Sequence, residues 1–330
     1  MKRGLQLSYA GHLSDRVRDL YDGTVVPEGI DLHCLRLEPF EAFPRMLQGD
    51  FHCGEMSFST YVIRVAQNDM PFVAIPVFPS RTFRHSAIYV NADAGIRTPE
   101  DLRGKRIGVP EYTSTAMVWA RGMLKDEYGV LPSDIRWLTG GLRDAGRKQK
   151  FRPQIPGVEI QHTADRTLNE MLVSGELDAI IAPQMPPALR EGHPKVRFLF
   201  PDYAEVERAY YRKTGIFPIM HVVVLRRDLY EAHPWVASSL CNAFEQAKDN
   251  SLRELRIEEP LPVSLPWVHD LARSVRELMG TDYWPYGVDK NRKVIEALCG
   301  YVHDQGLAPR QVAVDELFAA SVMNPGAMRL

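Results

Sequence analysis

The residues best suited to chemistry in this chain lie in two stretches, FPSRTFRHSAIYVN from Phe78 to Asn91 and DLRGKRIGVPEYTSTAMVWARGML from Asp101 to Leu124. The first sets Arg81, Arg84 and His85 beside an apolar strand. Guanidiniums make planar, charge-assisted contacts with carboxylates, and imidazole exchanges a proton near neutral pH. The second reads as a strand, RIGVP, running into a helix from Ser114 to Tyr128. Glu111, Tyr112, Thr113, Ser114 and Thr115 would then form a hydroxyl-rich corner with free backbone N–H groups. Together the stretches predict two walls of a pocket for a small, multiply anionic molecule. A plainer reading competes: surface arginines serve solubility or exposed ion pairs, and Thr113 or Ser114 would simply cap the helix.

Three further candidates stand apart. Glu55 in CGEMSFSTY follows a predicted strand, where open α/β sheets place ligand residues, and Ser57 and Ser59 alternate behind it. Glu55 could take a hydrogen bond or a proton from a ligand hydroxyl, or only neutralise an arginine. His221 in PIMHVVV is a second proton-transfer candidate, or a strand histidine bonded to a backbone carbonyl. His12 in AGHLSDR is a weaker third. No ligand-spacing motif calls for a metal, so the expectation is no metal site and no cofactor; convergence of His85, His221 and Glu55 would be the arrangement able to take a divalent ion.

The elements that must position these groups follow from length and pattern. A chain of 330 residues exceeds the size at which one core comfortably grows, so two lobes are expected. A hydrophobic share of 45% with 25% charged residues is that of a globular protein, and a formal net charge of −2 with scattered basic residues lacks the footprint of a nucleic-acid or anionic-membrane binder. No run approaches the roughly 18 apolar residues of a membrane span. The N-terminus MKRGLQLSYAGHLSDR lacks the continuous apolar segment of a secretory signal, and four scattered cysteines, Cys34, Cys53, Cys241 and Cys299, suit reduced thiols. A cytoplasmic protein with a small-molecule partner is expected, and the sequence is compatible with a homo-oligomer.

Short apolar runs alternate with amphipathic stretches, from GLQLSYA and GIDLHCLRL through PFVAIPVF and HSAIYVN to RIGVP, IRWL and DAIIAP. This predicts an α/β fold with mainly parallel pairing. FPDYAEVERAYYRKTG reads as a long connection to the strand-rich IFPIMHVVVLR, after which the chain is mostly helical. The chain is expected to cross to a second lobe near residue 90 and to return near residue 216. Residues 1–90 and 216–330 would make a discontinuous first lobe with a helical C-terminal part, and 91–215 the second.

This order resembles the type II periplasmic-binding-protein fold, two α/β lobes with a ligand cleft at the hinge, of which DLRGKRIGV is a generic mark. AIPVFPSRTFRHSAIYVN, RGKRIGVPEYTSTAMVWARGML, YYRKTGIFPIMHVVVLRRDLYEAHPWVASSL and DYWPYGVDKNR closely resemble the 4,5-dihydroxyphthalate decarboxylase family, which uses that scaffold as an enzyme. The resemblance covers almost the whole chain. It implies conversion of 4,5-dihydroxyphthalate to protocatechuate and carbon dioxide, with a small anionic aromatic substrate as partner. It further implies Arg81 and Arg84 on the retained carboxylate, a proton donated to the ring carbon by His85 or His221, and an apolar wall from Phe83, Phe58 or Trp119. One departure is Gln184 in APQMPP, where an arginine-containing form of the motif is expected; it leaves room for a relative of altered specificity. The alternatives are a solute-binding protein for a small carboxylate, or a same-fold enzyme on another cyclic acid.

Overall fold

The alternation of apolar strands and amphipathic helices resolves into two separate sheets. The computed structural model describes residues 4–147, 153–257, 259 and 261–323. The strands are β1 (Leu5–Gly11), β2 (Ile30–Arg36), β3 (Cys53–Ser57), β4 (Phe72–Arg81), β5 (Ile88–Asn91) and β6 (Arg106–Val109). Five more follow: β7 (Arg136–Thr139), β8 (Ile160–His162), β9 (Ala179–Ile181), β10 (Val196–Phe198) and β11 (Ile219–Arg226).

By its contacts the chain forms two units, one of Met1–Arg81, Ile219–Glu296 and Val312–Leu330, the other of Thr82–Pro218 and Ala297–Gln311. The sheet of unit 1 has the order β2-β1-β3-β11-β4. β1 is parallel to β2 and β3, and β11 runs antiparallel to both β3 and β4. β1, β2, β3 and β4 therefore bring their carboxyl ends to one edge, where β11 begins. β3 is buried throughout and β4 nearly so, as strands covered on both faces must be. Pro76 and Pro79 interrupt β4 because proline has no N–H for the ladder, and the pairing with β11 shifts register on either side of His221. The irregularity sets Ser80 opposite His221.

Unit 2 has the sheet order β10-β5-β9-β6-β7-β8, with β6 parallel to β7 and β9. Leu168, Leu172, Leu177 and Ile180 pack with Tyr89 in its core. Its helix Thr115–Tyr128 ends at Gly129, which takes the left-handed conformation (φ 64°). No helix among the described residues is long and apolar enough to cross a membrane.

Two expectations are corrected. The first boundary falls between Arg81 and Thr82 rather than near residue 90, so Arg81 belongs to unit 1 while Arg84 and His85 belong to unit 2. Ala297–Gln311, expected in the first lobe, joins unit 2 because Gln305 accepts from Arg121 Nε at 2.8 Å and the Tyr301 hydroxyl donates to Asp126 at 2.5 Å. The segment read as a long connection is the helix Tyr203–Thr214. Tyr203, Val206 and Tyr210 recur there at helical spacing, but of the helix only Tyr210 is fully buried, so charged residues dominate its pattern.

Candidate active site

Glu55 organises the carboxyl edge of unit 1. It is 2% exposed, and its two oxygens are divided between separate partners. Oε2 lies 3.0 Å from His221 Nδ1, while Oε1 accepts the backbone N–H of His12 at 3.0 Å and the Tyr9 hydroxyl at 3.4 Å. The strand geometry explains the meeting: Glu55 and Ser57 share one face of β3, and His221 pairs directly with Ser57 across the ladder. A carboxylate that accepts on every side assigns Nδ1 of His221 as its N–H and leaves Nε2 for proton exchange. Gly11 makes room for the cluster, since a Cβ there would stand 2.5 Å from the Tyr9 hydroxyl and 2.8 Å from Glu55 Oε1. Burial, and secondarily the charge of Glu55, pushes the Tyr9 hydroxyl well above its ordinary pKa and keeps it a donor. Phe43 meets the His221 ring edge-on, with centroids 4.9 Å apart, and gives the imidazole one apolar side.

Cations gather at the same edge. Arg16 lies over the Trp284 ring at 4.0 Å and donates to Pro79 O and Asp15. Arg81 donates through Nη2 to Pro285 O at 2.8 Å and to the Asn291 side-chain oxygen. Arg81 thus staples β4 to the WPYG turn, which Trp284 and Asn291 further tie down through Phe78 O and Gly287 O. Tyr286 is buried between these charges. Burial raises its pKa, Arg16 and then Arg81 act against that, and Glu245, more than Glu55, adds to it. The Tyr286 hydroxyl has no hydrogen-bond partner among the described residues. Ser57 precedes the helix Phe58–Ala66; its hydroxyl lies 3.4 Å from that of Ser59 and accepts from Thr60 at 3.2 Å. Ser14, in the loop after β1, also has a buried hydroxyl without a partner among the described residues.

Unit 2 holds the remaining sequence candidates in a different state. His85 is 1% exposed and boxed by Tyr128, Phe200 and Tyr210, with ring centroids 5.2–6.3 Å away. Desolvation lowers its pKa to about 4, so it is neutral at working pH. Burial among rings favours the neutral imidazole and so speaks against His85 as the proton donor; the sequence shows its cationic neighbours but not the aromatic box. Arg84 is buried, and desolvation lowers its pKa to about 10, opposed by the charge of Glu207; it remains a cation. Tyr112, expected on a ligand wall, is fully buried against Trp137 and under the Arg121 guanidinium at 3.7 Å. Thr113 and Thr115 are buried at the corner, Ser114 is the N-cap residue and donates to Glu111 O, and Glu111 pairs with Arg147 at 3.3 Å. Gln184 stands exposed after β9. Phe58 and Trp119 are core side chains of their own units, and Phe83 stacks on Phe217.

His12 contributes its backbone N–H to Glu55, while its exposed ring pairs with Glu38 at 3.4 Å. Among the described residues no group of three or more His, Cys, Asp and Glu side chains could hold a metal ion. The side chains of this edge that sequence reading does not single out are Tyr9, Ser14, Arg16, Phe43 and Tyr286. Arg16 and Trp284 lie in AGHLSDR and WPYG, but only tertiary packing shows that they meet.

Two α/β units with a mixed sheet each, rather than the mainly parallel pairing expected, joined by crossings that return the chain to unit 1, define a periplasmic-binding-protein-like fold. A family model described as the phosphonate periplasmic substrate-binding protein of an ABC transporter matches residues 40–149. The periplasmic aliphatic sulphonate binding protein of Escherichia coli superposes with a TM-score of 0.55 at 11% identity, covering 97% of this chain and 99% of that one. The alkanesulfonate-binding protein of Xanthomonas axonopodis pv. citri gives 0.54 at 13% identity, covering 96% and 99%. These likenesses carry the fold. The chain is also 42% identical over 317 residues to the 4,5-dihydroxyphthalate decarboxylase of Comamonas testosteroni, covering 95% of this chain and 96% of that protein. To its counterpart in Pseudomonas putida it is 42% identical over 211 residues, 63% of this chain and 82% of that protein. The chain belongs to the 4,5-dihydroxyphthalate decarboxylase family, as the segments around Arg81, Tyr112, His221 and Trp284 led us to expect.

Proposed function

We propose that this protein is a carboxy-lyase that converts 4,5-dihydroxyphthalate to protocatechuate and carbon dioxide. The observation that carries the proposal is the 42% identity over nearly the whole chain to a 4,5-dihydroxyphthalate decarboxylase. Direct loss of carbon dioxide would leave an aryl carbanion with nothing to stabilise it. The substrate offers another route, because each carboxylate has a hydroxyl para to it. Deprotonation of that hydroxyl pushes density to the ring carbon bearing the carboxylate. A proton adds there, the ring becomes a dienone, and the C–C bond breaks as aromaticity returns. One proton is consumed overall, and no redox step arises, so we propose that no redox cofactor takes part.

His221 and Glu55 suit the proton chemistry. The imidazole keeps one nitrogen on Glu55 and offers the other, and a positioned acid typically contributes about 10² to 10⁴ in rate. Phe43 gives the departing carboxylate a weakly solvating wall, which favours its conversion to neutral carbon dioxide. Arg16 and the hydroxyls of Ser57 and Ser59 suit the retained carboxylate, where binding that is equal before and during reaction is wanted. The compartment we infer is the cytoplasm, where free cysteines such as these four stay reduced.

Incubation of the purified protein with 4,5-dihydroxyphthalate in D₂O tests both levels. The expected result is carbon dioxide release with protocatechuate carrying one deuterium at the vacated position. Substrate returned unchanged, as from a binding protein, defeats the activity; undeuterated product defeats the ring-protonation route.

A further inference from the structure

Unit 1 carries a second concentration of cationic groups whose residues are separate from the Glu55–His221 pair. Two adjoining cavities of about 270 and 310 Å³ lie where the helix Trp235–Glu254 and the helix Val268–Met279 meet the turn at Thr281, sharing Arg256 and Thr281 as lining. Arg253 and Arg256 come from the end of the first helix and its extension, Arg273 and Arg276 from the second, each pair spaced i,i+3 so that it falls on one helix face. Arg273 pairs with Asp270 at 3.2 Å; among the described residues Arg253, Arg256 and Arg276 form no ion pair.

The acids on the wall do not cancel this charge. Asp249 and Asp282 each lie 3.2 Å from Lys248, an ammonium with a side chain 1% exposed, and Asp282 also pairs with Lys290 at 2.7 Å. Lys248 also pairs with Glu245 at 2.7 Å and so offsets these carboxylates only in part, but the lining itself sets four guanidiniums against the two carboxylates. His269 faces the larger cavity with Nδ1 3.4 Å from Leu255 O, and its buried Nε2 has no partner among the described residues. Leu252 and Leu255 add apolar lining, and Thr281 adds a hydroxyl.

We propose that this face is a second anion site, one that takes a small organic polycarboxylate. Guanidiniums on facing helices match carboxylates held apart on a carbon body, which the leucines cover. The cavity volumes suit a ligand of that size. The proposal stands independently of the decarboxylase reading, since none of these residues belongs to the proposed proton machinery.

Isothermal titration of the full chain with citrate, and separately with benzene-1,3,5-tricarboxylate, tests it. The expected result is saturable binding that Arg256→Ala/Arg276→Ala weakens at least thirtyfold. Arg256→Lys/Arg276→Lys, which keeps the charge but loses the bidentate fork, weakens it by less. Arg136→Ala/Arg190→Ala, two exposed arginines of unit 2, leaves it within twofold. Absence of binding by both probes overturns the site, as does equal loss in the unit 2 control, which would mark nonspecific attraction. Thermal melting verifies that each variant is folded, and decarboxylation by the Arg256 and Arg276 variants without citrate is expected within twofold of the parent.

Discussion

His221 and His85 sit in the same kind of place, at an end of a sheet in an α/β unit, and the fold makes opposite use of them. His221 is half-buried with a buried carboxylate 3.0 Å from Nδ1. His85 is fully buried with aromatic rings on three sides and a pKa lowered to about 4. A histidine gains proton chemistry from a partner that stabilises its charged form, and loses it when burial alone acts. The arginines repeat the contrast. Arg16 of unit 1 stays partly accessible over Trp284, while Arg121 of unit 2 is buried over Tyr112, with Gln305 rather than a carboxylate on its Nε. Desolvation lowers the pKa of Arg121 to about 10, which still leaves it charged in a site that serves packing.

The comparison breaks first at His221. His221→Asn is expected to lower kcat by about 10³ with KM and melting temperature little changed, because the amide keeps shape and polarity but carries no transferable proton. Rapid-quench product formation measures it, and near-parental chemistry would move the proton donor elsewhere. Glu55→Gln tests the partner. It keeps the contacts to His12 and Tyr9 near their present geometry while removing the charge beside the imidazole. A fall in kcat of about 10² is expected, because the neutral amide replaces the charge-assisted hydrogen bond that orients the imidazole. A variant with parental kcat at every pH would reduce Glu55 to a structural acceptor.

The sequence made the α/β alternation legible because β4 and β11 are mostly apolar runs, and it made Glu55 and His221 legible as residues. Their pairing was not. It depends on β11 running antiparallel between β3 and β4 with a register broken around Pro76 and Pro79, which no local pattern states. Arg81, Arg84 and His85 misled for a related reason: neighbours in sequence, they are divided by the boundary at Arg81, and burial then changes what each does. Tyr112 looked like a ligand hydroxyl because strand-to-helix corners bind anions, yet its ring completes a core with Trp137. Type and spacing locate polar groups; only packing tells which remain solvated or partnered.

The smallest effect separates burial from catalysis at His85. A histidine at about 4 in the fold and near 6.5 when unfolded binds more protons in the unfolded state as pH falls. Its contribution to stability is complete above pH 6.5 and is lost progressively as pH falls from there toward 4. Between pH 7 and pH 5 this amounts to about 2 kcal/mol. His85→Phe, which suits the aromatic box and cannot titrate, is expected to remove that part of the acid slope while leaving kcat within a few-fold of the parent. Urea unfolding at the two pH values, compared between parent and variant, measures the difference. If the slope is unchanged, His85 is not buried neutral. If kcat falls as far as in His221→Asn, the proton donor lies in unit 2, and the contrast between the two histidines is reversed.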